Sequence, residues 1–156
     1  MQKLAFAWLT EHFEEQVSNA IAQNIHFCYE GHFTNEATWD IPRKFKEAGY
    51  EINLIFFGVK DTTLSELRVV ARKEEGGHYV DPVTVASNFY GNLEKLDQHF
   101  YMFDSVQVYD TSEIEYRLLA GLENGMPMFA VSSEQLPPWF TVTMPMLTQR
   151  IINKYG

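Results

Sequence analysis

The stretch INLIFFGV, residues 52–59, decides which fold class this chain can adopt. It is apolar at nearly every position, which is typical of a strand covered on both faces in a sheet that lies between layers of helices. Helical patterns precede and follow it. The sequence therefore predicts an α/β fold with a mainly parallel sheet, flanking helices and right-handed crossovers.

Four helices are predicted around this strand. Apolar residues recur at three- and four-residue steps over residues 2–23, and a second helix is predicted over residues 36–48, before Gly49. Asp61 can cap a third helix that runs to Glu75. Proline favours the first turn of a helix, so Pro82 predicts a fourth helix, to about residue 100.

Further strands are predicted on both sides of the central pattern. IHFCYEG (residues 25–31) and SVQVYDT (residues 105–111) each form a short apolar run. In RLLAGLENGMPMFAV (residues 117–131), Asn124-Gly125 favours a tight turn between two strands. The chain is therefore expected to end in a C-terminal β-hairpin and a last short helix.

Composition indicates one globular domain over residues 1–156, because 46% of the residues are hydrophobic. The net charge of −9 argues against a nucleic-acid partner, which requires a basic face. No stretch resembles a signal peptide or a membrane span. Cys28 is the only cysteine and lies in an apolar run, so we expect it to be buried and the protein to be cytoplasmic.

Motif searches exclude several chemistries. The chain contains neither G-x-x-x-x-G-K-[ST] nor G-x-G-x-x-G, and its five histidines lack the spacing of a zinc site, so no metal site is predicted. Acidic residues follow three predicted strands, at Glu30, Asp61 and Asp110. They either line a ligand site at the carboxyl ends of the strands or act as helix caps and solvated loop residues.

Two arginines precede an unusual turn in the segment ARKEEGGHYVDP, residues 71–82. Arg68 and Arg72 are four residues apart and therefore share one face of the third helix. They either form local ion pairs with nearby glutamates or present guanidinium groups to a phosphate. Both interpretations stay open at this point.

Five segments together resemble zeta-toxin-like P-loop kinases, a family that includes toxins that phosphorylate UDP-N-acetylglucosamine. In chain order they are FCYEGHFTN, FKEAGYEINLIFFGV, LRVVARKEEGGHYVDP, VYDTS and LPPWF. The resemblance extends over roughly residues 4–140 and is most specific where R-V-x-x-R precedes GGH.

The resemblance implies roles for eight residues. It places the substrate beside Glu30, His32 and Asn35. It assigns charge compensation for the transferred phosphoryl group to Arg68 and Arg72. It also places a turn at the phosphate site on Gly76, Gly77 and His78.

The chain also departs from the family pattern. The family's Walker A loop and its strand would precede Met1, so the chain is interpreted as the C-terminal portion of the kinase domain, with the N-terminal P-loop strand missing. ATP and Mg²⁺ are expected for the full-length family, but neither is expected to bind tightly to this chain alone. The arginines that are usual in the family after GGH are replaced by other residues in VASNFYGNL, residues 85–93. Gly31-His32 stands where the family has Thr or Ser.

The leading interpretation is a phosphotransferase domain that acts on a small molecule or a nucleotide sugar and is inactive as this chain. The alternatives are a non-catalytic ligand-binding or regulatory relative, and a fragment completed by a separate chain. An antitoxin is a possible partner. A homodimer that closes the open sheet is also expected, since an apolar edge strand invites association.

Overall fold

A computed structural model describes the backbone of residues 2–155 and the side chains of residues 10–155. The helices and strands of this part, in chain order, are α1 Gln2–Gln23, α2 Asp40–Glu47, β1 Asn53–Gly58, α3 Thr62–Glu74, α4 Pro82–His99, β2 Ser105–Asp110, β3 Arg117–Glu123, β4 Met126–Ala130, α5 Pro138–Thr143 and α6 Pro145–Tyr155. Short 3-10 turns lie at Glu36–Trp39, Phe100–Met102 and Ser133–Gln135.

The sheet is mixed rather than mainly parallel, so that part of the expected fold class is wrong. Its order is β1-β2-β3-β4; β1 and β2 are parallel, whereas β2–β3 and β3–β4 are antiparallel. The connection between β2 and β3, residues 111–116, is too short for a parallel crossover, which requires a dozen residues or more. The connection from β1 to β2 contains α3 and α4 and is long enough for a parallel crossover.

The predicted C-terminal hairpin is confirmed. Asn124 and Gly125 connect β3 to β4 with φ angles of 48° and 72°. Two positive φ angles in succession fit a turn whose twist matches that of the flanking strands, and asparagine followed by glycine adopts them readily.

The predicted starts of α3 and α4 are also confirmed, whereas the helix predicted from residue 36 begins as a 3-10 turn and becomes α-helical at Asp40. The Asp61 carboxylate accepts a hydrogen bond from the Leu64 amide at 2.8 Å, and Asp81 accepts one from the Thr84 amide at 3.0 Å. Pro82 lies in the first turn of α4. Each aspartate satisfies an amide that the helix itself leaves unpaired.

Burial is concentrated on one face of the sheet. Alternate residues of β2, Val106 and Val108, share a buried cluster with side chains from α4, α5 and α6. On the other face Ile55 and Phe57 of β1 are 56% and 58% exposed. The expectation that β1 is covered on both faces is therefore wrong, because these three helices all pack against the same face.

The predicted strand at residues 25–31 is wrong as well. The segment forms neither helix nor strand, and Cys28 within it is exposed rather than buried. A short apolar run becomes a strand only where a neighbouring strand supplies hydrogen bonds, and this segment is separated from β1 by a groove. Within the described residues, no helix has the length and hydropathy needed to cross a membrane.

Candidate functional site

A groove of about 1040 Å³ lies between residues 26–33 and strand β1, and we call it the β1 groove. Residues 26–33 form one wall and β1 forms the other. Its floor is apolar and includes Phe45, Leu93 and Leu96. A cavity with an apolar floor and a few polar groups at its rim is the usual form of a small-molecule site.

Glu30 and His32 lie on the first wall and are held there by α4. Asn92 of α4 accepts a hydrogen bond from the Phe33 amide at 2.6 Å, and its amide nitrogen lies 3.0 Å from His32 Nδ1. Since that nitrogen is a donor, His32 accepts through Nδ1 and carries its proton on Nε2. The Glu30 side chain is exposed at the groove and can accept hydrogen bonds from a ligand.

Aromatic side chains support this wall from behind. The Tyr29 ring lies 5.4 Å from Phe13 of α1 and 5.7 Å from Phe33. Its hydroxyl oxygen is buried without a hydrogen-bond partner among the described residues, and burial raises the pKa of that hydroxyl. Tyr29 therefore stays neutral near pH 7. The first part of the apolar repeat predicted over residues 2–23 lies outside the described side chains, which begin at residue 10.

The two arginines of α3 have different surroundings. Arg68 donates from its guanidinium to the Thr111 hydroxyl at 3.0 Å and to the Thr111 carbonyl. Thr111 is buried and donates its own amide to the Gly58 carbonyl at 2.8 Å. Arg68 thus links α3 to the carboxyl ends of β1 and β2 and does not line the β1 groove.

Arg72, one turn later, lines the groove and is exposed. Neither Arg72 nor Arg68 forms an ion pair with a glutamate among the described residues, so the surface ion-pair interpretation has no support there. Arg72 shares the groove with Glu30 and His32, while Arg68 serves the scaffold beneath it.

Asn35 and the glycine turn have structural roles away from the groove. Asn35 caps the 3-10 turn at Glu36–Trp39 by accepting from the Thr38 amide at 3.3 Å. Gly76 ends α3 with a φ of 96°, and the Gly77 amide donates to the Arg72 carbonyl at 2.8 Å. This is the Schellman arrangement that closes a helix. His78 follows it and is exposed.

Among the described residues, the β1 groove offers ATP and Mg²⁺ one positive charge and no cluster of metal ligands. No cluster of three or more His, Cys, Asp or Glu side chains that could hold a metal ion occurs among them. Arg72 is the one arginine or lysine that lines the groove in this part of the chain. A single guanidinium is not a cradle for the phosphate chain, which requires successive backbone amides and a lysine.

Sequence reasoning missed Asn92 as a site residue. Its side chain is the fixed point that places residues 32 and 33, and its amide nitrogen also donates to the Asn88 carbonyl at 2.7 Å. Asn88 and Asn92 are four residues apart and both line the groove. The signal available in the sequence was this pair of amide side chains on one helix face, next to Leu93 and Leu96, which are buried.

A comparison with protein families matches residues 5–118 to the family model described as Zeta toxin. The matched range includes both walls of the β1 groove, α3 and α4. Neither the curated proteins nor the solved structures contain a match to the chain.

Proposed function

Since the chain belongs to the zeta toxin family of kinase-like phosphotransferases, we propose that its β1 groove holds the phosphate-accepting substrate of such an enzyme. The substrate class is a small molecule that carries both hydroxyl and phosphate groups, with a nucleotide sugar as the leading candidate. The observation that supports this is the common position of Glu30, His32 and Arg72 around one groove.

The chemistry of these side chains suits such a substrate. The Glu30 carboxylate accepts hydrogen bonds from sugar hydroxyls, and His32 Nε2 donates one. The Arg72 guanidinium matches a phosphate with two parallel hydrogen bonds. The apolar floor, which includes Phe45, takes the less polar face of the sugar or the base.

Binding of UDP-N-acetylglucosamine, measured by calorimetric titration, tests this proposal. A charge-assisted hydrogen bond contributes about 1.5–3 kcal/mol, so Glu30→Gln and Arg72→Ala should each weaken binding at least about tenfold. Lys44→Ala is the matched control, because Lys44 is an exposed residue of α2 outside the groove. No binding, or equal losses in all three variants, would reject the groove as the substrate site.

We also propose that this chain alone does not turn over ATP. The sequence has no G-x-x-x-x-G-K-[ST] loop to hold the β- and γ-phosphates. Magnesium-dependent release of phosphate from ATP by the pure chain is the measurement. Clear turnover that disappears in Arg72→Ala would show that the proposal is incorrect.

The second candidate is a non-catalytic relative that binds a ligand. The hydrogen bonds of Arg68 favour this candidate. The guanidinium of Arg68 is already bonded to Thr111. Asn88 lies at the groove in the helix where the resembled kinases carry arginines. Binding of the nucleotide sugar without phosphorylation of it, even in the presence of ATP and Mg²⁺, would favour this candidate.

A further inference from the structure

The first wall of the β1 groove lies directly against α4. A Cβ atom on Gly91 would lie 3.0 Å from Cβ of Thr34, nearer than ordinary contacts between such atoms, so glycine permits the close approach. The next residue of α4 is Asn92, and its side-chain oxygen accepts from the Phe33 amide at 2.6 Å. The backbone that carries His32 is therefore held in place on α4.

Two backbone groups fix the orientation of the Asn92 side-chain amide. The Phe33 amide nitrogen lies 2.6 Å from Asn92 Oδ1, and a backbone N–H can only donate. The Asn88 carbonyl oxygen lies 2.7 Å from Asn92 Nδ2, and a carbonyl can only accept. Exchanging the oxygen and the nitrogen of the amide would place donor against donor at the first contact and acceptor against acceptor at the second. The NH₂ group of Asn92 therefore points towards Asn88 and not towards Phe33.

The same NH₂ group determines which nitrogen of His32 carries the proton. One of its two hydrogens is donated to the Asn88 carbonyl, and the other is directed at His32 Nδ1, 3.0 Å from Nδ2. Nδ1 has to accept, so the neutral ring carries its proton on Nε2. Within the described residues no carboxylate forms an ion pair with His32, so Asn92 is the group that sets this choice. His32 lines the groove and is exposed, which leaves the Nε2 hydrogen for a ligand.

We propose that Asn92 is a positioning residue that fixes His32 as a hydrogen-bond donor and thereby requires an oxygen acceptor in any ligand at this point of the β1 groove. A phosphoryl or carbonyl oxygen satisfies that requirement, whereas an ammonium or amide N–H group opposes it. Glu30, on the same wall, accepts hydrogen bonds and requires the opposite polarity. The ligand requirement rests on the proposed function of the groove, but the tautomer of His32 does not.

Long-range proton–nitrogen NMR spectra test the role of Asn92 at about pH 8, where histidine side chains are mostly neutral. In the parent chain the His32 signals should show one tautomer, with the proton on Nε2. Asn92→Asp replaces the NH₂ donor by a carboxylate oxygen and keeps the acceptor for Phe33, so His32 should gain a proton on Nδ1. The spectrum of His32→Gln identifies the His32 signals among those of the five histidines.

Asn88→Asp is the matched control. It introduces the same charge one turn earlier on α4, at a residue that also lines the groove, but Asn88 contributes only its backbone carbonyl to these hydrogen bonds. The tautomer of His32 should therefore not change in this variant. A proton on Nδ1 in the parent chain would overturn the proposal, and so would the same response of His32 to both substitutions.

A second variant covers the case in which Asn92→Asp fails to fold. Asn92→Ala removes the NH₂ donor without adding a charge, so His32 should populate both tautomers instead of one. A single, unchanged tautomer in this variant would show that Asn92 does not set the position of the proton.

Calorimetric titration with UDP-N-acetylglucosamine measures the consequence for a ligand. Asn92→Asp should bind at least about tenfold more weakly than Asn88→Asp, because His32 then presents an acceptor to a ligand oxygen while both variants carry the same added charge. Equal affinities of the two variants would refute the ligand requirement. If the parent chain does not bind the nucleotide sugar and the tautomer still changes in Asn92→Asp, the proposed substrate is rejected and the role of Asn92 stands.

Discussion

Strands β1 and β2 are parallel neighbours, yet their sequences suit different surroundings. Strand β2 alternates, with Val106 and Val108 at 1% and 0% exposure and the polar Gln107 between them. Strand β1 does not alternate, and its Ile55 and Phe57 are more than half exposed. The pattern of β2 fits a strand covered on one face, while that of β1 fits a strand covered on both. Strand β1 is therefore the strand whose sequence and surroundings disagree.

Removing one phenylalanine ring from each region should give the largest difference. Phe140 of α5 is fully buried against the covered face, so Phe140→Ala should lower the free energy of unfolding by about 3–5 kcal/mol. Phe57→Ala removes the same ring from the open face and should cost only about 0.5 kcal/mol. Urea unfolding measures both. Similar losses in the two variants would mean that the open face is covered in solution.

The fold should be sensitive to an added methyl group at the carboxyl end of β1. A Cβ atom on Gly58 would overlap the ring of Trp139, which is buried. Gly58→Ala should therefore destabilise the fold by about 1–3 kcal/mol through overpacking. Gly31→Ala is the control, because nothing lies within 4 Å of a Cβ atom there. If thermal unfolding shows the same midpoint for both variants, α5 does not pack against this end of β1.

Lowering the pH should weaken the hydrogen bonds that hold Glu36, a residue that follows the first wall of the groove. Glu36 follows this wall and accepts from Lys95 at 2.8 Å, from His99 at 3.1 Å and from Arg43 at 2.9 Å. Hydrogen bonds from Lys95, then His99 and Arg43, lower the pKa of Glu36 to about 2 from its ordinary 4.5. The folded-state value is the lower one, so the stabilisation is present above pH 4.5 and is lost as pH falls towards 2.

Urea unfolding of the parent chain and of Glu36→Gln over this pH range measures the effect. The gap in stability between the two proteins should be constant near neutral pH and should shrink steadily below pH 4.5. Glu74→Gln is the control, as Glu74 is an exposed glutamate without an ion pair among the described residues. A gap that does not change with pH would assign the Glu36 contacts no net contribution.

Much of the local structure was predictable because the residues responsible are adjacent in the chain. Asp61 and Asp81 cap the helices that follow them, Gly76 ends α3, and Asn124-Gly125 turns the hairpin. Each of these signals acts over four residues or fewer. The family resemblance could be recognised for the same reason, since it consists of short segments in a fixed order.

The candidate site was predictable only in part. Glu30, His32 and Arg72 were identified from the sequence and lie around one groove, whereas Arg68 and Asn35 serve the scaffold. Spacing of four residues shows that two arginines share a helix face. It does not show that one of them meets Thr111, which is 43 positions away along the chain.

Helix ends and the hairpin turn were therefore determined by the sequence itself, through hydrogen bonds between neighbours. The tertiary structure alone decided that the sheet is mixed, that β1 lies at its edge, and that residues 25–31 remain unpaired. Those outcomes depend on which distant segments supply hydrogen bonds and apolar cover. An apolar run such as INLIFFGV indicates that the strand is buried by other elements. Only the packing of the whole chain determines which face of the strand they cover.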